Sequence, residues 1–233
     1  MKKIRNVIPN IFTLLNLLFG CISITFLQSK CFECSAICTI FSLTFDFLDG
    51  FISRLMKNES QLGKELDSLA DMISFGLVPS IIVFIRLKNI EEIQKIPFIE
   101  WSAFLIAIFS AWRLAEFNIH NNYRKNCGLT TPVNALFFTS LSIIKSKNMD
   151  FFVLSPIKIL FMILFSCYLL ISKITMLPLV FQGFSWKKNK IRYLFLLISI
   201  FLLLILRLVA LPCIIIFYII TSIYFHRFRK KSH

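Results

Sequence analysis

Apolar runs, each close to the length needed to cross a bilayer, follow one another along nearly all of this 233-residue chain. A hydrocarbon core takes roughly 20 helical residues per crossing, and a lipid-exposed backbone must satisfy its own hydrogen bonds there. Eight runs are read, at 10–28, 32–56, 66–87, 98–117, 131–145, 151–172, 192–206 and 208–225. The fifth is short and little more than Arg207 parts the last two, so the pattern allows six to eight spans. The expected fold is an all-α, polytopic transmembrane helix bundle, one domain over residues 1–225 followed by a basic tail at 226–233. Composition agrees: 57% of residues are hydrophobic and 16% charged, against about 45–50% and about 25% in soluble domains. These values exclude a disordered chain and a disulfide-stapled secreted module.

Net charge is +14, which in a soluble protein would suggest nucleic acid. Here no folded soluble domain is left to read one, and none is expected as a partner. Membrane proteins gather Lys and Arg in cytoplasmic loops facing anionic lipid. With the N-terminus inside, 18 of the 26 basic residues fall on the cytoplasmic side, among them Arg54, Lys57, Lys64, Arg113, Arg124 and Lys125, and seven on the other. Both termini are therefore expected in the cytoplasm. The opening Met1-Lys-Lys-Ile-Arg5 and the run after it mimic a signal peptide, but no small-x-small cleavage site follows, so an uncleaved first span is read. The seven cysteines are scattered, and Cys31-x2-Cys34-x3-Cys38 has no nearby fourth ligand. They are read as small hydrophobes.

Charge inside a span is costly and points to function. Four of the five aspartates lie close together in Asp46-Phe-Leu-Asp49-Gly50-Phe-Ile-Ser53-Arg54, eight residues, then Gly63-x3-Asp67-x3-Asp71. Spacings of i,i+3 and i,i+4 put each pair on one helix face, and the short connection makes the two helices antiparallel neighbours. Four carboxylates thus converge at one depth, at the cytoplasmic ends of spans two and three. An oxygen-only donor set suits a hard divalent cation, Mg²⁺ or Mn²⁺. The plainer alternative is pairing with Arg54, Lys57 and Lys64. Gly50 costs roughly 1 kcal/mol against Ala in a helix, which close approach of a ligand, or close helix packing, would explain. Gly63, opening the third span, would by its missing side chain admit a phosphate or a base, and Arg54 is placed to grip a phosphate. The same acids would serve a cation transporter, although transporters bind nearer the midplane between repeats.

The motif resembles that of the CDP-alcohol phosphatidyltransferase family, Asp-x2-Asp-Gly-x2-Ala-Arg, eight residues, Gly-x3-Asp-x3-Asp. Asp46, Asp49, Gly50, Arg54, Gly63, Asp67 and Asp71 match, and Ser53 stands where the family has Ala. Within the family the chain is similar to the branch that uses L-serine as acceptor. That likeness runs over 8–135, from Ile8-Pro9-Asn10-Ile-Phe-Thr13-Leu-Leu-Asn16 through Ser74-Phe-Gly76 and Arg113-Leu-Ala115-Glu116-Phe-Asn118 to Gly128-Leu-Thr-Thr131-Pro132. Glu116 and Thr130 depart from the branch, which usually has Arg and Pro there; beyond about 140 only hydropathy matches.

The resemblance implies transfer of the phosphatidyl group from CDP-diacylglycerol to serine at the cytoplasmic face of a membrane, expected to be a bacterial inner membrane. Asp46, Asp49, Asp67 and Asp71 would hold two metal ions, and Gly50, Ser53, Arg54 and Gly63 would surround the cytidine diphosphate. Asp71 would act as base. Arg113 would pair with the serine carboxylate and Asn118 would hydrogen-bond the acceptor; alternatively Arg113 snorkels to headgroups or pairs with Glu116. Family members using glycerol 3-phosphate or an inositol phosphate remain open as the alternative. A dimer is typical of the family.

Overall fold

The computed structural model describes residues 2–56, 60–90, 96, 98–119, 127–146, 155–176, 186–206 and 209–231. Lys57, Arg124, Lys125, Arg207 and residues 151–154 of the sixth run lie outside these.

Among the described residues the fold is helical, without strands, in eight successive rods. The first is α1 (Lys2–Gln28) and the second α2 (Phe32–Met56). The third is one continuous rod of α3 (Gln61–Asp71), a π-helical segment (Met72–Leu77) and α4 (Val78–Lys88). The fourth opens as a 3₁₀ turn (Ile99–Phe104) and continues as α5 (Leu105–Ile119). There follow α6 (Thr131–Ser146), α7 (Pro156–Ile171), α8 (Trp186–Leu206) and α9 (Ala210–Lys231). Each expected run coincides with one rod. The main differences lie at the ends: α1 begins upstream of residue 10, and α9 continues to Lys231.

The first four rods, counted over Ile8–Gln28, Phe32–Met56, Gln61–Lys88 and Ile99–Ile119, are long and apolar enough to cross a membrane. The other four contain shorter apolar stretches. Many large apolar side chains are exposed along the rods, Leu18, Ile40, Phe47, Phe161 and Leu204 among them, as expected of a surface that faces lipid.

Local chemistry sets the boundaries. Lys30, in the left-handed region at φ 57°, turns the chain sharply between α1 and α2. Cys31 and Cys34 are joined there as a disulfide, a pairing that the reading of the cysteines as hydrophobes did not anticipate. Ser60 caps α3 by accepting from the Gly63 N–H, and Pro156 opens α7 where its missing N–H costs nothing.

One apolar core joins Val83 and Leu87 of α4 to Ile106 of α5, Phe138 of α6 and Ile159 and Ile163 of α7. A smaller one, Leu27, Phe32, Val78 and Ile82, ties α1 and α2 to α4. A third packs Leu129, Leu169 and Met176 against Ile215 and Ile219 of α9. These cores fix the rods around one acidic end of the bundle.

Candidate active site

The end of α2 and the start of the third rod bring the aspartates together. One carboxylate oxygen from each of Asp46, Asp49 and Asp67 lies within 4.8 Å of the others. Asp71 adjoins them, with its carboxyl in hydrogen-bonding reach of Asp46 and in electrostatic contact with Asp67 and Asp49. Asp49 and Asp71 are both buried.

Helix α1 supplies the support. Thr13 Oγ1 donates to Asp49 Oδ2 at 2.6 Å, and Asn16 Nδ2 donates to Asp71 Oδ1 at 3.1 Å. Asn16 is itself anchored, since its carbonyl accepts from both Ser42 of α2 and Ser74 of the π-helical segment, each at 3.0 Å. The approach is close: a Cβ on Gly20 would collide with Ser74 Oγ and stand 3.1 Å from Ser74 Cα. The wider π turn follows Asp71 directly and carries Ser74 against α1; such segments recur at functional sites. Thr13 and Asn16 entered the sequence reading only as part of a likeness. Their polarity inside an apolar run was the signal that marks them as functional.

This donor set fits a hard cation. Asp67 Oδ1 and Asn16 Oδ1 are buried without a hydrogen-bond partner among the described residues, a desolvation cost that a coordinated cation would remove. Asp46, Asp49 and Asp67 could share an ion directly, with Asp71 beside them.

The glycines divide. Among the described residues a Cβ on Gly50 would meet only Arg54 Nη2, at 3.8 Å, so packing against them does not explain this glycine. Gly63 lacks the hollow that was expected: its Cβ would stand 2.9 Å from Ser60 Oγ and 3.1 Å from Asn10 Oδ1. The missing side chain serves the helix cap and the approach of α1. Arg54 is exposed, and its Nε donates to the Gly50 carbonyl at 2.8 Å; Ser53 is half-buried on the same turn.

Arg113 of α5 is in electrostatic contact with Asp71 on one side and Tyr218 of α9 on the other. Its Nε is buried with no hydrogen-bond partner among the described residues. Tyr218, which is hydrogen-bonded to Ser222, went unnoticed in the sequence. No periodicity links residues so far apart. Asn118 faces α3: its Nδ2 donates to Ser68 Oγ at 3.0 Å and approaches Glu65 Oε2 at 3.4 Å.

A pocket beside Arg113 is lined by Glu116, Phe117, Cys127, Ser172 and Lys173. Its wall is pinned by backbone: Gly128 donates to Ile174 O and Leu129 to Leu169 O, both at 2.9 Å. Gly128 is required here, because φ is +74° and a Cβ would stand 2.7 Å from the Leu170 carbonyl. His226 Nδ1 accepts from the Thr175 N–H at 3.1 Å and holds α9 to the same segment.

A carboxylate cluster at one end of a membrane helix bundle, braced by hydroxyl and amide donors and adjoined by a half-buried arginine, is a donor set that fits a hard cation. The chain belongs to the CDP-alcohol phosphatidyltransferase family, whose model matches residues 6–224. The family match therefore continues past residue 140, where the motif reading saw hydropathy alone, and includes most of α9. Among similar proteins, a CDP-diacylglycerol–serine O-phosphatidyltransferase of Helicobacter pylori is 38% identical over 115 residues, 49% of this chain and 46% of that protein. An archaetidylserine synthase of Methanothermobacter thermautotrophicus is 31% identical over 144 residues, 60% of each chain. A CDP-diacylglycerol–serine O-phosphatidyltransferase of Bacillus subtilis is 34% identical over 119 residues, 50% of this chain and 64% of that protein. The matches thus cover from about half to just under two thirds of these relatives.

Proposed function

We propose that this protein transfers the phosphatidyl group of CDP-diacylglycerol to the hydroxyl of L-serine, forming phosphatidylserine and releasing CMP. The observation that carries this reading is the grouping of Asp46, Asp49 and Asp67 within 4.8 Å, with Asp71 and Arg113 directly beside them. The names of the relatives support serine as acceptor.

The donor lipid keeps its tails in the bilayer and brings its pyrophosphate to the aspartates, passing over the backbone at Gly50, with Ser53 and Arg54 on the same stretch of α2. Gly63 contributes by letting Ser60 and Asn10 close up behind that site. Asp46, Asp49, Asp67 and Asp71 would hold Mg²⁺ or Mn²⁺, as two ions, and these would neutralise charge on the pyrophosphate and on the departing CMP. The serine hydroxyl attacks the phosphorus bonded to diacylglycerol, the bond from that phosphorus to the CMP oxygen breaks, and CMP leaves with the bonding pair. The hydroxyl proton passes to Asp71. Asn16 donates to Oδ1 of that carboxylate and orients it for the transfer. Arg113 receives the acceptor carboxylate, while Asn118 ties α5 to α3 and keeps Arg113 level with the aspartates. The excess of basic residues on this side supports a site facing the cytoplasm, and the bacterial relatives support a bacterial inner membrane as its setting.

The test is CMP release by the purified protein with CDP-diacylglycerol and Mn²⁺ or Mg²⁺, given L-serine, glycerol 3-phosphate or inositol phosphate singly. Release with serine alone is expected. Release only with a phosphorylated acceptor would keep the family and overturn the serine assignment.

A further inference from the structure

The pocket beside Arg113 carries both signs of charge. Arg113 and Glu116, one helical turn apart on α5, line it together, and Lys173 faces them from beyond the end of α7. Arg113 is the innermost of the three, its Nε buried and unpartnered among the described residues and its charge in contact with Asp71. Arg113 thus joins a pocket lined by a carboxylate and two cations to the Asp71 carboxylate.

We propose that this pocket is a zwitterion site, in which Glu116 receives the ammonium of an amino-acid acceptor while Arg113 and Lys173 receive its carboxylate. The inference rests on the phosphatidyl-transfer reading and adds the group that selects among acceptors. A dianionic phosphate would gain from Arg113 and Lys173 but would meet the like charge of Glu116. An amino alcohol without a carboxylate would gain from Glu116 and be repelled by the two cations. A molecule bearing both groups complements the described lining, which is discrimination by an included repulsion as much as by attraction. Glu116 is also where this chain departs from the Arg usual in its branch, so its acceptor pocket has a charge arrangement of its own.

The experiment compares L-serine with 3-hydroxypropionate, which keeps hydroxyl and carboxylate but lacks the ammonium, in wild type, Glu116→Gln and Glu116→Asp, following CMP release. Loss of a charge-assisted hydrogen bond is worth about 10- to 100-fold. Glu116→Gln is expected to raise KM for serine by that factor, with the effect in KM rather than kcat, and to leave KM for 3-hydroxypropionate within about threefold. Glu116→Asp is expected to recover part of the loss, which distinguishes recognition from misfolding. An unchanged KM for serine in Glu116→Gln, or an equal rise for both acceptors, would overturn the proposal while leaving phosphatidyl transfer standing. Wild-type release with phosphorylated acceptors alone would overturn both this proposal and the serine assignment, with phosphatidyl transfer itself retained.

Discussion

The first four rods and the last four are held together by different means. In the first half, polar groups are buried between helices: Thr13 on Asp49, Asn16 on Asp71, Ser42 and Ser74 on the Asn16 carbonyl, and Ser23 on Ser35 at 2.7 Å. In the second half, apolar side chains of α6, α7 and α9 fill the cores, Ser166 of α7 donates to Asn134 of α6 at 2.7 Å, and further backbone bonds lie where residues 127–129 cross the end of α7. Lipid tails give helices little hydrophobic reason to associate, so small residues and interhelical hydrogen bonds serve as the glue. In the first half that glue also aims the carboxylates. Its polar bonds therefore serve the chemistry and the packing together, whereas those of the second half tie α6 to α7 and shape a pocket wall.

Substitutions should separate the two halves. The largest effect is expected from Asp49→Asn or Asp67→Asn, each lowering CMP release by about 10²- to 10³-fold, because charge stabilisation at the reacting group is lost; initial rates at saturating metal check this. Asn16→Ala should lower turnover by about 10- to 100-fold, and Thr13→Val should raise the Mn²⁺ concentration for half-maximal activity by a similar factor, as expected when the partners of ligating groups are removed. Metal titrations of both variants would read this, and an unchanged titration for Thr13→Val would break the link between polar packing and site geometry. Gly128→Ala should act on stability, costing about 1–3 kcal/mol for a strained left-handed residue, visible as a lower melting temperature in detergent. Tyr218→Phe should have the smallest effect, a rise of a few-fold in KM for the acceptor through Arg113, roughly the worth of one hydrogen bond, with the metal titration unmoved.

Much of the first half was legible because its information is local. Asp46 and Asp49, then Asp67 and Asp71, announce a shared face by spacing alone, and the apolar runs announce the rods. Gly50 and Gly63 are visible as helix glycines, but the atoms a side chain would meet there, such as Ser60 Oγ and Asn10 Oδ1 at Gly63, cannot be placed from a pattern. The π turn at Met72–Leu77 changes the period over too few residues to register. The partnership of Arg113 with Tyr218 joins helices about a hundred residues apart, and the fold itself was needed to find it. Asn16 lies between these cases: an Asn inside an apolar run was a visible anomaly, but its partner was not.

The central claim is that Asp71 takes the acceptor's proton while its neighbours hold the metal-borne donor. Asp71→Asn tests it most directly, with binding of a cytidine nucleotide and CMP release measured on the same purified protein in Mn²⁺. The expected result is nucleotide binding close to wild type with turnover reduced by about 10²- to 10⁴-fold. Wild-type turnover in that variant would remove Asp71 from the mechanism and contradict the account.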